Sequence, residues 1–172
     1  MRLINKDITF IDYPDPNDWA SIFYFSGCCN NCINCQNKEL QNPEVGKTII
    51  DNVDDLYNIV KETTIKHKSN KVVFSGGDPL FTTNIDLIRE FLNKHGSEFD
   101  ICIYTGHSID YVKENNISGF KFIKCGKYIP ELAKDRNPGM TDTEFILASS
   151  NQDFYDSNYK KLSNNGVLNF KN

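Results

Sequence analysis

The 172-residue chain is long enough for one domain with a real core. Nineteen Lys and Arg against 23 Asp and Glu leave a net charge of −4. No basic surplus exists to neutralise phosphates, which argues against a nucleic-acid binder. No apolar run approaches the ~20 residues of a membrane span. Met1 to Asp7 contains no apolar signal segment. Six cysteines are present, four of them between Cys28 and Cys35. That clustering fits a reduced cytoplasm and metal binding better than a disulfide framework.

In chain order, Ile8 to Ile11 is β-branched and aromatic and predicts a short strand. Asp12 to Asp18, with two prolines and three aspartates, predicts a loop. Ser21 to Phe25 is a buried strand, and an irregular connection then runs to about Thr48. Val53, Leu56, Tyr57 and Val60 share one face of a helix over 51–60, with Asp51, Asp54 and Asp55 at its positive end. Lys71 to Ser75 is a strand. Asn84 to Lys94 is a helix burying Ile88, Phe91 and Leu92 and stopping at Gly96. Asp100 to Tyr104 is a strand, Ile109 to Glu114 a short helix, and Phe120 to Ile123 a strand. A weak helical patch lies around Glu131 to Ala133, and Glu144 to Leu147 is the last core strand. Residues 157–172, rich in Asn, Ser and Lys, read as a loosely held C-terminal tail. His67 and His95 read as solvent-facing, and Cys102 as a small core residue.

Strand and helix alternate, which predicts parallel βαβ units and an α/β fold. A complete eight-unit barrel takes about 250 residues, so this length has room for roughly five units. The expectation is an open, partial barrel. Its chemistry would sit where strands end and loops begin.

Cys28, Cys32 and Cys35 have the spacing C-x3-C-x2-C, directly after the Ser21–Phe25 strand. A structural zinc wants four protein ligands, and so does an electron-transfer [4Fe–4S] cluster. Three well-spaced thiolates on a four-iron cluster leave one iron open to a small molecule. Cys29 is a poor fourth ligand, because adjacent residues point at one metal only with strain. A zinc held by Cys28, Cys29, Cys32 and Cys35 is the alternative outside enzymes.

Ser75-Gly76-Gly77-Asp78-Pro79-Leu80 follows the next strand. Two glycines let a ligand approach the backbone, and the acidic side chain can meet a cationic group. Read alone, the segment is equally a tight turn closed by proline.

The cysteine spacing followed by this glycine segment resembles the radical S-adenosylmethionine (SAM) superfamily. Cys35-Gln36-Asn37, Gly76-Gly77-Asp78-Pro79-Leu80, Tyr104-Thr105-Gly106, Cys125-Gly126-Lys127-Tyr128 and Ala148-Ser149-Ser150-Asn151-Gln152 are together similar to the activating-protein family of anaerobic (class III) ribonucleotide reductase. The likeness spans Ile11 to Gln152. The chain departs from that family at Pro14 to Trp19, where Gly-Pro-Gly and an arginine are usual. It departs again at Cys125 in place of Asp, and at Ala148 in place of Gly.

The resemblance implies an open partial (β/α) barrel of the radical SAM type, forming a single domain over residues 1–156. Cys28, Cys32 and Cys35 would bind a [4Fe–4S] cluster whose fourth iron takes SAM. Asn34, Cys35 and Gln36 would flank SAM, and Gly76, Gly77 and Asp78 would hold its amino end. Thr105 would face the ribose or methionine moiety, or only stabilise a turn. After reduction by a flavodoxin-like donor, an adenosyl radical would abstract a hydrogen from a glycine on the large reductase chain. No glycyl-radical-like segment occurs here; Arg136-Asn137-Pro138-Gly139 reads as a turn. A pyruvate formate-lyase activase or a carboxydeazaguanine synthase is the alternative within the superfamily.

Overall fold

A computed structural model describes residues 1–135 and 137–170. The elements run β1 (Arg2–Thr9), β2 (Ala20–Phe25), β3 (Thr48–Ile49), α1 (Val53–His67), β4 (Lys71–Gly76), α2 (Ile85–His95), β5 (Asp100–Tyr104), α3 (Ile109–Glu114), β6 (Phe122–Cys125), β7 (Gly139–Met140), β8 (Glu144–Ile146), β9 (Asp153–Asp156) and β10 (Val167–Asn169). The fold is mixed α/β. One sheet has the order β3-β1-β2-β4-β5-β6-β9, and a second has the order β10-β8-β7. The larger sheet is open. Among the described residues no helix is long and apolar enough to cross a membrane.

The centre of the large sheet is parallel. Ile22 pairs with Val73 and Val73 with Cys102, while Phe23 pairs with Phe74 and Phe74 with Ile103. Alternation along each strand sends these two rows to opposite faces. The Phe23–Phe74–Ile103 row faces the helices. There Phe74 meets the rings of Phe23, Phe25 and Phe91 at centroid distances of 6.0, 5.4 and 5.5 Å. Each fully buried ring of this kind stabilises the fold by roughly 3 kcal/mol. The Ile22–Val73–Cys102 row joins a second core with Tyr13, Phe145, Leu147, Phe154 and Leu168. The small sheet therefore packs on the face that the helices leave free.

The helices are capped by their own sequence. Asn52 accepts a hydrogen bond from the Asp55 amide and starts α1. Lys68, in the left-handed conformation at φ 56°, ends it. Ser108 accepts from the Tyr111 amide and starts α3.

Several boundaries differ from the sequence reading. β1 begins at Arg2 and stops at Thr9, so Phe10 and Ile11 lie in the following loop, both largely exposed. α1 continues to His67 because Thr63 and Thr64 are buried and donate to the Ile59 and Lys61 carbonyls. β6 lies two residues later than expected. Glu144–Ile146 belongs to the small sheet, and the last strand of the large sheet is β9, antiparallel to β6. The parallel part has four strands and three helical crossovers, where roughly five units were expected. The chain after β6 goes instead into the small sheet. Within 157–172, the stretch read as a tail, β10 pairs with β8. The turn read at Arg136–Gly139 rests partly on Arg136, which lies outside the described residues. Neither His67 nor His95 faces solvent freely. His67 Nδ1 is 3.0 Å from Ser21 Oγ, and His95 stacks on Tyr57 at 4.0 Å.

The Asp12–Asp18 loop is pinned beneath the sheet. The Lys71 ammonium lies 2.7 Å from Asp15 and 2.8 Å from Asp18, and 5.4 Å from the Tyr13 ring centroid. Hydrogen bonds from that ammonium hold both carboxyls below the usual carboxylate range. A depressed carboxylate pKa contributes stability above the unfolded value, and loses it as pH falls through the folded one. Both carboxylates are more than a third exposed, so solvent screens the pairing. Lys71→Met is therefore expected to cost about 1–2 kcal/mol at neutral pH. The gap in melting temperature between the two proteins should narrow as pH falls to about 3. A constant gap across that range would mean that packing of the lysine stem matters and its charge does not.

Candidate functional site

A cavity of about 520 Å³ opens at the C-terminal ends of β2, β4, β5 and β6. Ligands bind at this end of parallel strands because the loops that follow them converge there. Its floor continues the inward-facing row of the sheet. Ser75, Tyr104 and Lys124 follow Val73, Cys102 and Phe122 by two residues each, and all three line the cavity. Phe145, Ile146, Leu147 and Ala148 close another side.

The loop after β2 brings Cys28, Cys32 and Cys35 to the cavity wall together with Asn34 and Gln36. Asn31 and Asn34 take positive φ values of 46° and 56°, a conformation asparagine tolerates better than most residues. A Cys35 amide to Cys32 carbonyl bond of 3.3 Å closes the turn between two of the thiols. Cys29 is exposed and does not line the cavity. Burial pushes the Cys28 thiol up; amide donors from Asn30 partly offset it.

The glycine segment adds Ser75, Gly76 and Gly77 to the lining, beside the start of the cysteine loop. Gly76 sits at φ +114°, and a Cβ there would stand 2.3 Å from the Phe25 carbonyl oxygen. A Cβ on Gly77 would stand 2.5 Å from the carbonyl oxygens of both Gly27 and Leu40. Only glycine lets this strand end lie so close to the cysteine loop. Asn37 Nδ2 donates to the Gly76 carbonyl at 3.5 Å and links the two segments.

Asp78 is placed differently from its neighbours. Its side chain is 1% exposed and lies behind the wall, outside the cavity lining. Oδ2 accepts from Asn30 Nδ2 at 3.2 Å, Thr105 Oγ1 at 3.0 Å and the Gly106 amide at 2.9 Å. Oδ1 accepts from the Leu80 amide at 2.9 Å. The carboxylate thus ties together the cysteine loop, the glycine loop and the end of β5. Thr105 does line the cavity, but its hydroxyl is spent on Asp78 and on the His107 amide. The structure therefore brings Cys28, Cys32, Cys35, Asn34, Gln36, Gly76, Gly77 and Thr105 around one space, and leaves Asp78 out of it.

Lys124 lines the cavity from outside the motifs, while Tyr104 and Gln152 stand inside motifs that gave them no role of their own. Lys124 Nζ donates to the Gly126 carbonyl at 3.2 Å and lies 5.8 Å from the Tyr104 ring centroid. Burial lowers its pKa from the ordinary lysine value. Tyr104 donates to the Asp12 carbonyl at 2.7 Å, which brings Asp12 to the rim. Strand alternation would have put Lys124 on the cavity face, given the correct strand bounds. Gln152 lines the cavity while its amide donates to the Gly126 carbonyl at 3.1 Å. Cys102 and Cys125 are buried, and burial pushes the Cys125 thiol up to about 12.

Among the described residues, no three His, Cys, Asp or Glu side chains gather closely enough to hold one metal ion. A four-iron cluster asks for a wider spread, with each thiolate on its own iron. Three partly buried thiols lining one cavity with a glycine backbone fit that group and a small molecule beside it. The cavity volume lies within the range of small-molecule sites.

Residues 19–145 match the model of the 4Fe-4S single cluster domain family. The chain is also similar to an anaerobic ribonucleoside-triphosphate reductase-activating protein of Haemophilus influenzae. The two are 28% identical over 117 residues, which cover 64% of this chain and 74% of that protein.

Proposed function

The chain belongs to the 4Fe-4S single cluster domain family, and from that premise we propose that it is a radical SAM activase that generates a glycyl radical on an anaerobic ribonucleotide reductase. One observation carries the reading. Cys28, Cys32 and Cys35 line one cavity together with Gly76 and Gly77, while their neighbour Cys29 is exposed and does not line it. That arrangement would supply three thiolates to a four-iron cluster and leave its fourth iron to a ligand in the cavity. The name of the Haemophilus influenzae protein supports the choice of partner.

When bound and reduced by a flavodoxin-like donor, the cluster would supply the electron that cleaves SAM, and the adenosyl radical released would take a hydrogen atom from a glycine of the reductase. The residues of this chain bind and orient. Cys28, Cys32 and Cys35 would hold the irons. The Gly76–Gly77 backbone would receive the amino end of SAM, with Asn34 and Gln36 beside it. Thr105 would shape the wall and offer no free O–H donor. Asp78 would act through the loops that it ties. Lys124 would present its ammonium to the SAM carboxylate. The open sheet, read as a shortened barrel of the radical SAM type, would admit a protein loop that a closed mouth would exclude.

Lys124→Met is expected to raise the SAM concentration needed to perturb the cluster signal roughly tenfold, the loss of one charged hydrogen bond. Iron content should stay unchanged. An unaltered SAM dependence would remove Lys124 from the binding wall.

The proposed activity is tested under strict anaerobiosis. The protein is reconstituted with iron and sulfide, reduced, and followed by low-temperature EPR with and without SAM. A [4Fe–4S] signal reshaped by SAM, and a glycyl-radical doublet once the large reductase chain is added, are the results expected. A cluster signal indifferent to SAM would mean a fourth protein ligand. A colourless protein with about one zinc per chain would overturn the activase.

A further inference from the structure

Asn30 lies inside the cysteine loop but outside the ligand spacing. Its backbone amide stands 3.5 Å and its side-chain Nδ2 3.4 Å from Cys28 Sγ, and both donate to it. The other Nδ2 hydrogen goes to Asp78 Oδ2 at 3.2 Å. Asp78 is in turn fixed by Thr105, Gly106 and Leu80. The Asn30 amide group therefore has little freedom to turn away from the sulfur.

A second observation concerns Gly106. Its backbone makes no demand for positive φ, so glycine is not needed there for conformation. A Cβ at that position would stand 2.2 Å from Asn30 Nδ2 and 2.6 Å from its Cγ. The glycine after Thr105 leaves the space in which the Asn30 amide lies.

Resting on the cluster assignment above, we infer that Asn30 is a positioning residue that sets the reduction potential of the cluster, and that Gly106 is glycine to admit it. The physical reason is charge. Reduction adds an electron to the cluster and its thiolates. An N–H donor to a ligand sulfur stabilises the more negative state and raises the potential. The Asp78 carboxylate holds the amide in the orientation that aims one N–H at Cys28. Without it, the cluster is harder to reduce, and a biological donor loads fewer molecules.

The test is an EPR-monitored redox titration of the reconstituted protein, comparing wild type with Asn30→Ala and Gly106→Ala. The first variant removes the side-chain donor. The second leaves every donor in place and displaces the asparagine. Both should load a four-iron cluster and both should shift in the same direction. The expected size is a roughly tenfold fall in the equilibrium constant for reduction, about 59 mV for one electron. A merely structural role would change melting temperature and iron yield without moving the potential of the cluster that forms. Potentials of both variants equal to wild type overturn the inference and leave the activase reading intact. Failure of both variants to take up iron, while their apo forms melt with wild type, also overturns it, because Asn30 would then serve assembly. A wild-type protein without a cluster overturns the reading beneath it and this inference together.

Discussion

If the proposed activity holds, replacing Cys28, Cys32 or Cys35 by alanine is expected in each case to abolish formation of 5′-deoxyadenosine from SAM, whereas Cys29→Ala is expected to keep most of it. The argument is geometric before it is chemical. The first three thiols share the cavity wall, and the fourth is exposed and off that wall. A three-thiolate site has no spare ligand, so each single loss should exceed the roughly hundredfold cost of disturbing an outer partner of a metal ligand. The measurement is chromatographic detection of 5′-deoxyadenosine with dithionite as reductant, alongside iron content. Full turnover by Cys32→Ala would refute the ligand assignment. Loss of turnover in Cys29→Ala would bring that thiol into the site.

The second large effect is expected at Asp78. Its buried carboxylate receives four donors from three segments. Asp78→Ala leaves those donors without an acceptor, the Leu80 amide and the Thr105 hydroxyl in buried bonds and the Asn30 and Gly106 donors in partly buried ones. Unmet buried donors cost about 1–3 kcal/mol each and do not add fully, so the loss should be about 4 kcal/mol. For a domain of this size that is roughly 10 °C in melting temperature. Asp78→Asn keeps the shape but turns an amide NH2 toward at least one N–H donor, whichever way it is flipped, and should cost about half as much. Thermal unfolding of the reduced apo protein reads both. An alanine variant melting within about 2 °C of wild type would show that the three segments hold together without this carboxylate.

Legibility in the sequence followed the distance between the residues concerned. β2, β4 and β5 were readable because each is a run of buried apolar residues. α3 was readable to the residue because Ser108 precedes a short amphipathic stretch. β1 was misplaced because Asn5, Lys6 and Asp7 are exposed on an antiparallel strand and carry no alternation. α1 was cut short at Val60 because Thr63 and Thr64 read as polar, although both are buried and bond back to the helix. The cysteines and glycines of the site were legible as local spacing. The Asp78 tie was not, because its partners stand 48, 28 and 27 positions away along the chain. Only the fold brings them to one carboxylate, and it turns a residue expected to meet a ligand into one that meets the protein.

The way the large sheet ends has a consequence for solubility. An open sheet exposes two rows of unpaired backbone groups, and such edges recruit strands from other molecules. Here one edge is β3, two residues long, which covers only Arg2 and Leu3 of β1; beyond it β1 presents the exposed Asn5, Lys6 and Asp7, polar and charged side chains that oppose strand recruitment. Along the other, the chain after β9 folds back on itself. The Asp156 amide donates to the Lys160 carbonyl, and the Leu162 amide to the Phe154 carbonyl. Both edges are blunted within the chain, so the mouth can stay open without offering a template for fibre-like stacking.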